Sequence, residues 1–384
     1  MNEPSKRLLS CACFFLAPGL AYSIITSRMP ALKEQAGISE SEIGLLLLIL
    51  GTSSMLALAA CTLAAGRVES RRISLCGAIA LCVSTVAACA CTGFWSMALA
   101  FAAVGFGMGL IDVAANAQGM LLERALRRPC LSLMHGAYSL GAVLGSASGF
   151  FFAWLALSPF VQAAVMFALF ACLLPAAAPR LIREDSPAEK QGKAPKSPVP
   201  LFIFLCGILC MMAYSVDGSV AEWGSLFLYS CKGADEKAAA LVYGAFSLTT
   251  VAARLFADRL RQIFGDRRLA LSGTVLGCLG MGAVLFLPGV PCAMAGYALM
   301  GVGLAPLVPI LFSQAGRVPG IAPARTSATV AFFAYSGMLF FPPLLGVLAS
   351  TWGLAAALLV PFAESALLIA GCAFAFARCP VGSC

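Results

Sequence analysis

Gly105-Phe-Gly-Met-Gly-Leu-Ile-Asp112-Val-Ala-Ala-Asn116-Ala-Gln118 is an apolar, glycine-rich run with a carboxylate deep inside it. On a helix, residues 105, 109, 112, 116, 119 and 123 recur at spacings of three and four and share one stripe. That stripe reads Gly, Gly, Asp, Asn, Gly, Glu. In a membrane span, small residues let neighbouring helices approach closely, whereas polar ones need an aqueous cavity or a partner. An ionisable side chain at the bilayer centre costs about 2.5–3.5 kcal/mol on insertion scales. Asp112 is therefore expected to carry function, with a structural Asp paired to a neighbouring helix as the alternative.

The surrounding chain has the same character. Hydrophobic residues make up 61% and charged ones 11%, with a mean hydropathy of +0.93. Soluble domains carry about a quarter charged residues, so a soluble globular fold is excluded. Twelve apolar runs of spanning length are read at 8–27, 43–65, 73–91, 95–119, 131–155, 160–178, 200–224, 238–257, 269–287, 291–315, 326–350 and 355–377. Lys6 and Arg7 precede a run of full spanning length, so the first is read as a helix rather than a cleaved signal. Most of the 17 cysteines sit singly in apolar runs, where a free thiol behaves as a small hydrophobe. With one histidine and no ligand spacing, neither a metal nor a cofactor is expected.

An even number of spans puts both termini on one side. With the termini in the cytoplasm, 20 of the 25 Lys and Arg fall in inner segments; Arg28, Lys33, Lys232 and Lys237 fall outside. The positive-inside rule thus predicts a multi-pass membrane protein with both termini in the cytoplasm. Basic residues scattered over short loops give no nucleic-acid footprint. Residues 179–199, rich in Pro, Lys and Glu, read as a polar linker between an N-terminal bundle (1–178) and a C-terminal bundle (200–384). The halves repeat weakly. Arg71-Arg72 recurs as Arg267-Arg268, and Gly105-Phe-Gly-Met-Gly as Gly301-Val-Gly-Leu-Ala, both 196 residues on. Tyr138-Ser139 recurs as Tyr335-Ser336. Two six-span halves of like topology form a two-bundle transporter plan.

Phe256-Ala-Asp258-Arg259 followed by Gly265-Asp-Arg267-Arg268 resembles the signature loop of the major facilitator superfamily, here in its second-half copy with a short insertion. The first-half copy, Ala65-Gly66-Arg67-Val-Glu69-Ser-Arg71-Arg72, is shortened and lacks a clear Asp-Arg. The resemblance extends over essentially the whole chain and is nearest to the fucose–proton symporter branch and its uncharacterised bacterial relatives. Asp112-Val-Ala-Ala-Asn116 is similar to that symporter's Glu-Thr-Ala-Ala-Asn run, which implies a proton-coupling role for Asp112. Leu131-Ser-Leu-Met-His135-Gly-Ala-Tyr138-Ser139-Leu-Gly141 resembles the branch's fifth-helix run, which implies substrate contact for His135 and Tyr138. Ser27-Arg28-Met-Pro30-Ala-Leu-Lys33 and Ala221-Glu222-Trp223 also resemble patches of the uncharacterised relatives. The symporter's first-helix Asp has no counterpart, for span 8–27 contains no acid.

The remaining polar residues in the spans take their readings from position. His135 reads equally as a proton relay to Asp112, a substrate contact or a plain interhelical hydrogen bond. Asn116 shares the Asp112 stripe and is expected to touch substrate. Gly141, Gly145 and Gly149, spaced by four, read as a close-packing seam. Asp217 and Glu222 on one helix diverge by about 140° unless the helix breaks, for which Gly218 and Gly224 are candidates. Glu222 is the preferred second proton-coupling acid, with Trp223 and Tyr214 as stacking surfaces for a sugar ring or an organic cation. Glu364 is isolated in its span, and its role is open. Arg254 and Asp258, four apart at an inner helix end, are expected to pair as a gate. Arg28 is expected at the outer mouth, paired with an acid such as Glu34. Pro306, Pro309, Pro342 and Pro343 lie inside spans and suit kinks.

The leading expectation is a monomeric secondary transporter moving a small, sugar-like polar solute by proton-coupled symport. A proton-driven drug or metabolite efflux antiporter is the alternative. No nucleophile–base set, metal spacing or nucleotide phosphate loop occurs, which argues against an enzyme or an ATP-driven pump. A solute receptor would have to signal through short loops.

Overall fold

The computed structural model describes residues 3–64, 68–126, 130–183, 200–318 and 323–377. Every regular element among them is helical. A chain this apolar has no water to satisfy its backbone inside a bilayer, so each spanning segment must close its own hydrogen bonds. Twelve helices are long and apolar enough to cross a membrane. They are α1 (Glu3–Ser27), α2 (Glu40–Cys61), α3 (Ser70–Ala90), α4 (Phe94–Gly119), α5 (Leu133–Trp154) and α6 (Pro159–Arg180). The other six are α7 (Leu201–Lys232), α8 (Glu236–Ala257), α9 (Arg259–Phe286), α10 (Val290–Gly316), α11 (Thr329–Trp352) and α12 (Leu354–Ala377). A short helix, Met29–Ala36, follows α1. The expected linker opens with a 3-10 turn at Ala178–Arg180, and its residues 184–199 lie outside the described residues.

The helices form two compact units. The first comprises Met1–Lys190 together with Asp235–Gly244, and the second comprises Gln191–Ala234 with Ala245–Cys384. In this division the start of α8 packs within the first unit. Ser146 of α5 is the local cause. Its hydroxyl donates to the Ala240 carbonyl and accepts the Gly244 N–H at 3.0 Å, so it occupies the rung that those two groups would otherwise close between them. An inserted side chain of this kind bends a helix, and here the helical segment Glu236–Ala240 is separated from the next by a turn at Leu241.

Close approach at small residues sets the packing in each unit, and the contacts repeat. A Cβ at Gly105 of α4 would collide with the Leu50 carbonyl of α2, and one at Gly301 of α10 would fall on Phe246 and Thr249 of α8. Gly107 of α4 lies against Leu81 of α3, and Gly303 of α10 lies against Gly277 of α9. Both relations preserve the 196-residue offset. The α5 seam is present too: Gly141 meets Leu16, Gly145 meets Leu20 and Ser23, and Gly149 meets Ser27.

Proline acts unevenly. α10 is interrupted between Leu304 and Leu307 at Pro306, whereas the helix Pro323–Trp352 runs on through Pro342 and Pro343. The helix Val242–Phe286, which includes most of α8 and all of α9, has one non-helical residue, Gly265, at φ 77° and ψ 159°.

Candidate functional site

In the first unit, the Gly-rich stripe of α4 changes character along its length. Gly105 and Gly109 are packed against α2, while Asp112 is exposed. Asn116, one turn on, donates Nδ2 to the Asp112 carbonyl at 2.7 Å and to Asp112 Oδ1 at 3.2 Å, which fixes the carboxylate's orientation. His135 of α5 is exposed and lies in electrostatic range of Asp112. Its ring stands edge-on to Phe15 of α1 with centroids 5.3 Å apart. Tyr138 is half-buried one turn further along α5, where its carbonyl abuts Gly19. Asp112 forms no ion pair with Lys or Arg among the described residues. The sequence-predicted acid, amide and imidazole are thus brought together, with no Lys or Arg paired to the carboxylate among the described residues.

In the second unit, α7 is unbroken from Leu201 to Lys232, so the break expected near Gly218 and Gly224 does not occur. Asp217 and Glu222 consequently face apart. Glu222 is buried and lines a small cavity with Tyr214, Ser215, Gly218 and Ser219 of α7 and Gly337, Phe341, Pro342 and Leu345 of α11. The water-sized space in it is about 10 Å³, roughly one water. Asp217, on the other face, lies in range of the exposed Arg254, and its Oδ1 makes no hydrogen bond. Arg254 therefore acts on Asp217; the Asp258 side chain, its expected gate partner, lies outside the described residues.

Trp223 departs from the sequence expectation. One residue beyond Glu222 is a rotation of about 100°, which turns the indole fully into the packing, with Nε1 unpaired among the described residues. It offers no stacking surface here. Glu364, open in the sequence reading, is buried midway along α12, and Ser215 Oγ donates to its Oε2 at 2.7 Å.

Arg28 is the second correction. It is 2% exposed, and its partner is Glu236 rather than Glu34. The chain turns between α1 and the helix Met29–Ala36 at Arg28 (φ −106°, ψ 17°), which directs the side chain inward. Nε donates to Glu236 Oε1 at 2.6 Å, Nη1 to Gln162 Oε1 at 3.2 Å and Nη2 to the Leu157 carbonyl at 2.8 Å.

Two residues that sequence reasoning passed over tie helix ends together. Gln118 of α4 donates Nε2 to Ser70 Oγ at 2.8 Å and to the Ile182 carbonyl at 2.9 Å, and accepts Ile182 N–H at 2.8 Å. Gln314 of α10, 196 residues later, donates Nε2 to Asp266 Oδ2 at 2.9 Å. Asp266, 196 residues after Ser70, also accepts Arg261 Nε at 2.7 Å and Nη2 at 3.1 Å, with Arg317 at 3.5 Å. The shortened first copy of the signature loop therefore keeps the amide and lacks the acid. Its acid, Glu69, instead pairs with Arg71 and Arg72, and the Arg71 guanidinium holds the Glu69 carboxyl below the usual carboxylate range. The 196-residue offset was the available signal for Gln118 and Gln314. Among the described residues, no cluster of His, Cys, Asp or Glu has the makings of a metal site, and the cysteines are free thiols.

Comparison with known proteins agrees with this architecture. The chain is 28% identical over 374 residues to an uncharacterized MFS-type transporter of Yersinia pestis, covering 94% of this chain and 95% of that protein. Among solved structures it resembles a D-xylose–proton symporter with TM-score 0.76, covering 99% of this chain and 98% of that one at 14% identity. A nucleoside transporter, NupG, aligns with TM-score 0.75, covering 98% of this chain and 100% of that one, also at 14% identity. At such identity these two likenesses establish the fold. The family profile described as Major Facilitator Superfamily matches residues 11–230, more than half of the chain. The twelve spans, the repeated glycine contacts and that match lead to one conclusion: this protein belongs to the major facilitator superfamily of membrane transporters, and is not an enzyme.

Proposed function

We propose that this transporter moves a small, polar, sugar-like solute by alternating access, in symport with protons, as the resemblance to the fucose–proton symporter branch implies. Asp112 and Glu222 are the proton-coupling acids in this reading. Asn116, His135, Tyr138 and Tyr214 are its solute contacts, while the buried Trp223 is set aside. The protein would act as a monomer in a bacterial inner membrane, with both termini in the cytoplasm. One observation carries the proposal: an accessible carboxylate on α4, oriented by Asn116, whose charged neighbour is a titratable imidazole. A carboxylate without a fixed counter-charge changes protonation when its hydration changes, and alternating hydration then loads and unloads a proton. The likeness to a D-xylose–proton symporter and a nucleoside transporter is compatible with this chemistry at the level of the fold.

The test is reconstitution in proteoliposomes loaded with a pH-sensitive dye, challenged with sugars and nucleosides. Symport acidifies the lumen when solute is added outside; efflux by antiport makes it alkaline. Asp112→Asn should abolish the pH response while leaving solute binding in place. A pH response that survives Asp112→Asn, or sodium-dependent uptake without one, refutes the proposal.

A further inference from the structure

Glu364 is a buried acid to which the proposed transport cycle gives no role. It is 7% exposed and sits about halfway along α12, a helix of membrane-spanning length. Its hydrogen-bond partner is the hydroxyl of Ser215, itself 2% exposed, at 2.7 Å. No cation pairs with it among the described residues. Helix α12 packs chiefly on α7, and Phe362, two residues before Glu364, rests against Phe286 and Gly282 of α9. The titratable groups that α7 carries along this stretch are Cys206, Cys210, Tyr214, Asp217 and Glu222; Cys210 lies in range of Cys372 of α12. The part of α9 at the contact carries Cys278, one turn before Gly282. None of these groups is basic. An ionised carboxylate held there by one neutral hydroxyl would lack the compensation that a buried charge requires.

Ser215 also lines the one-water cavity into which Glu222 projects. Residues 215, 218, 219 and 222 recur at helical spacing on one face of α7, so hydroxyl, cavity and second acid follow one another along that face. From this geometry we propose that Glu364 is a proton-binding site of the second unit, joined to Glu222 by a relay through Ser215 and the cavity. In the relay, the Ser215 hydroxyl turns from Glu364 toward the cavity, so that protonated Glu364 donates to Ser215 Oγ and its proton passes there as the Ser215 proton leaves toward the cavity. Glu222 gains one proton, Glu364 loses one, and Ser215 is unchanged. The Glu222 end rests on the role proposed above; the Glu364 site does not.

The test needs no transported solute. Infrared difference spectra of the full-length protein in lipid bilayers, recorded across a pH titration in H2O and D2O, report protonated carboxyl groups directly. A carboxyl C=O band sensitive to deuterium should be lost in Glu364→Gln and shifted in Ser215→Ala. Retention of every such band in Glu364→Gln overturns the site. Should Glu364→Gln fail to fold, an unshifted spectrum in Ser215→Ala overturns it instead. Glu222→Gln should shift the Glu364 band, and an unmoved band overturns the relay. Loss of solute-driven pH change in the proteoliposome assay concerns Asp112 and is read separately.

Discussion

Replacing Glu236 by Gln tests whether the start of α8 is held in the first unit by the buried Arg28. The substitution keeps the shape and removes the charge. Breaking a fully buried ion pair costs about 3–5 kcal/mol, and one hydrogen bond to a charged group contributes about 1.5–3 kcal/mol. Arg28 is enclosed, but the Glu236 side chain is 31% exposed, so the smaller figure applies. Arg28 would also keep Gln162 and the Leu157 carbonyl as partners. A loss of about 2–3 kcal/mol is expected, equivalent to a roughly 30- to 150-fold rise in the undocked population. Hydrogen–deuterium exchange reads this population through the amides of residues 236–244, among them the Gly244 N–H that Ser146 accepts. Exchange there should accelerate by that factor in Glu236→Gln and in Arg28→Ala, and the double variant should be no faster than the worse single one. Unchanged exchange in this segment, or equal acceleration throughout the molecule, refutes the reasoning.

Other consequences are quickly checked. Gly301→Leu should prevent accumulation of folded protein, because even a Cβ there falls on Phe246 and Thr249; Gly93→Ala, with open space around it, should melt within about 0.5 kcal/mol of the parent. Asp266→Asn should cost about 1.5–3 kcal/mol, by a margin that shrinks in high salt, whereas Gln118→Ala should cost about 1–3 kcal/mol at any ionic strength. Thermal melts at two salt concentrations separate the two. Asp235 caps α8 by accepting the Ala238 N–H at 2.9 Å, and that hydrogen bond holds its carboxyl below the usual range. A lowered folded value means the cap contributes fully above about pH 4 and is lost only as pH falls through the lower value. Asp235→Ala should therefore speed exchange of residues 236–244 about fivefold at neutral pH, from about 1 kcal/mol, and remove its acid dependence.

The twelve spans and the repeat were legible because hydropathy and glycine spacing act locally, and one physical demand, backbone satisfaction in lipid, writes them into the sequence. Asp112 and Asn116 were legible for the same reason, as neighbours at i and i+4. Arg28 was misread because a partner 208 residues away leaves no local trace, and a charge beside a predicted outer loop reads as solvated. Trp223 was misread because one step along a helix separates cavity from packing, and the sequence does not say on which side of that step the cavity begins. Glu364 stayed open until Ser215, 149 residues away, was seen beside it.

The segment 235–244 has an implication for how the polypeptide is assembled. A fragment divided after α6 would contain Arg28 without its carboxylate and Ser146 without the backbone groups it bridges. Neither fragment would be self-sufficient: the N-terminal one ends with a vacancy whose occupant is synthesised only after α7. During synthesis, then, the first half of the chain waits for the second to supply its final piece, and co-expressed fragments should survive where either alone is degraded.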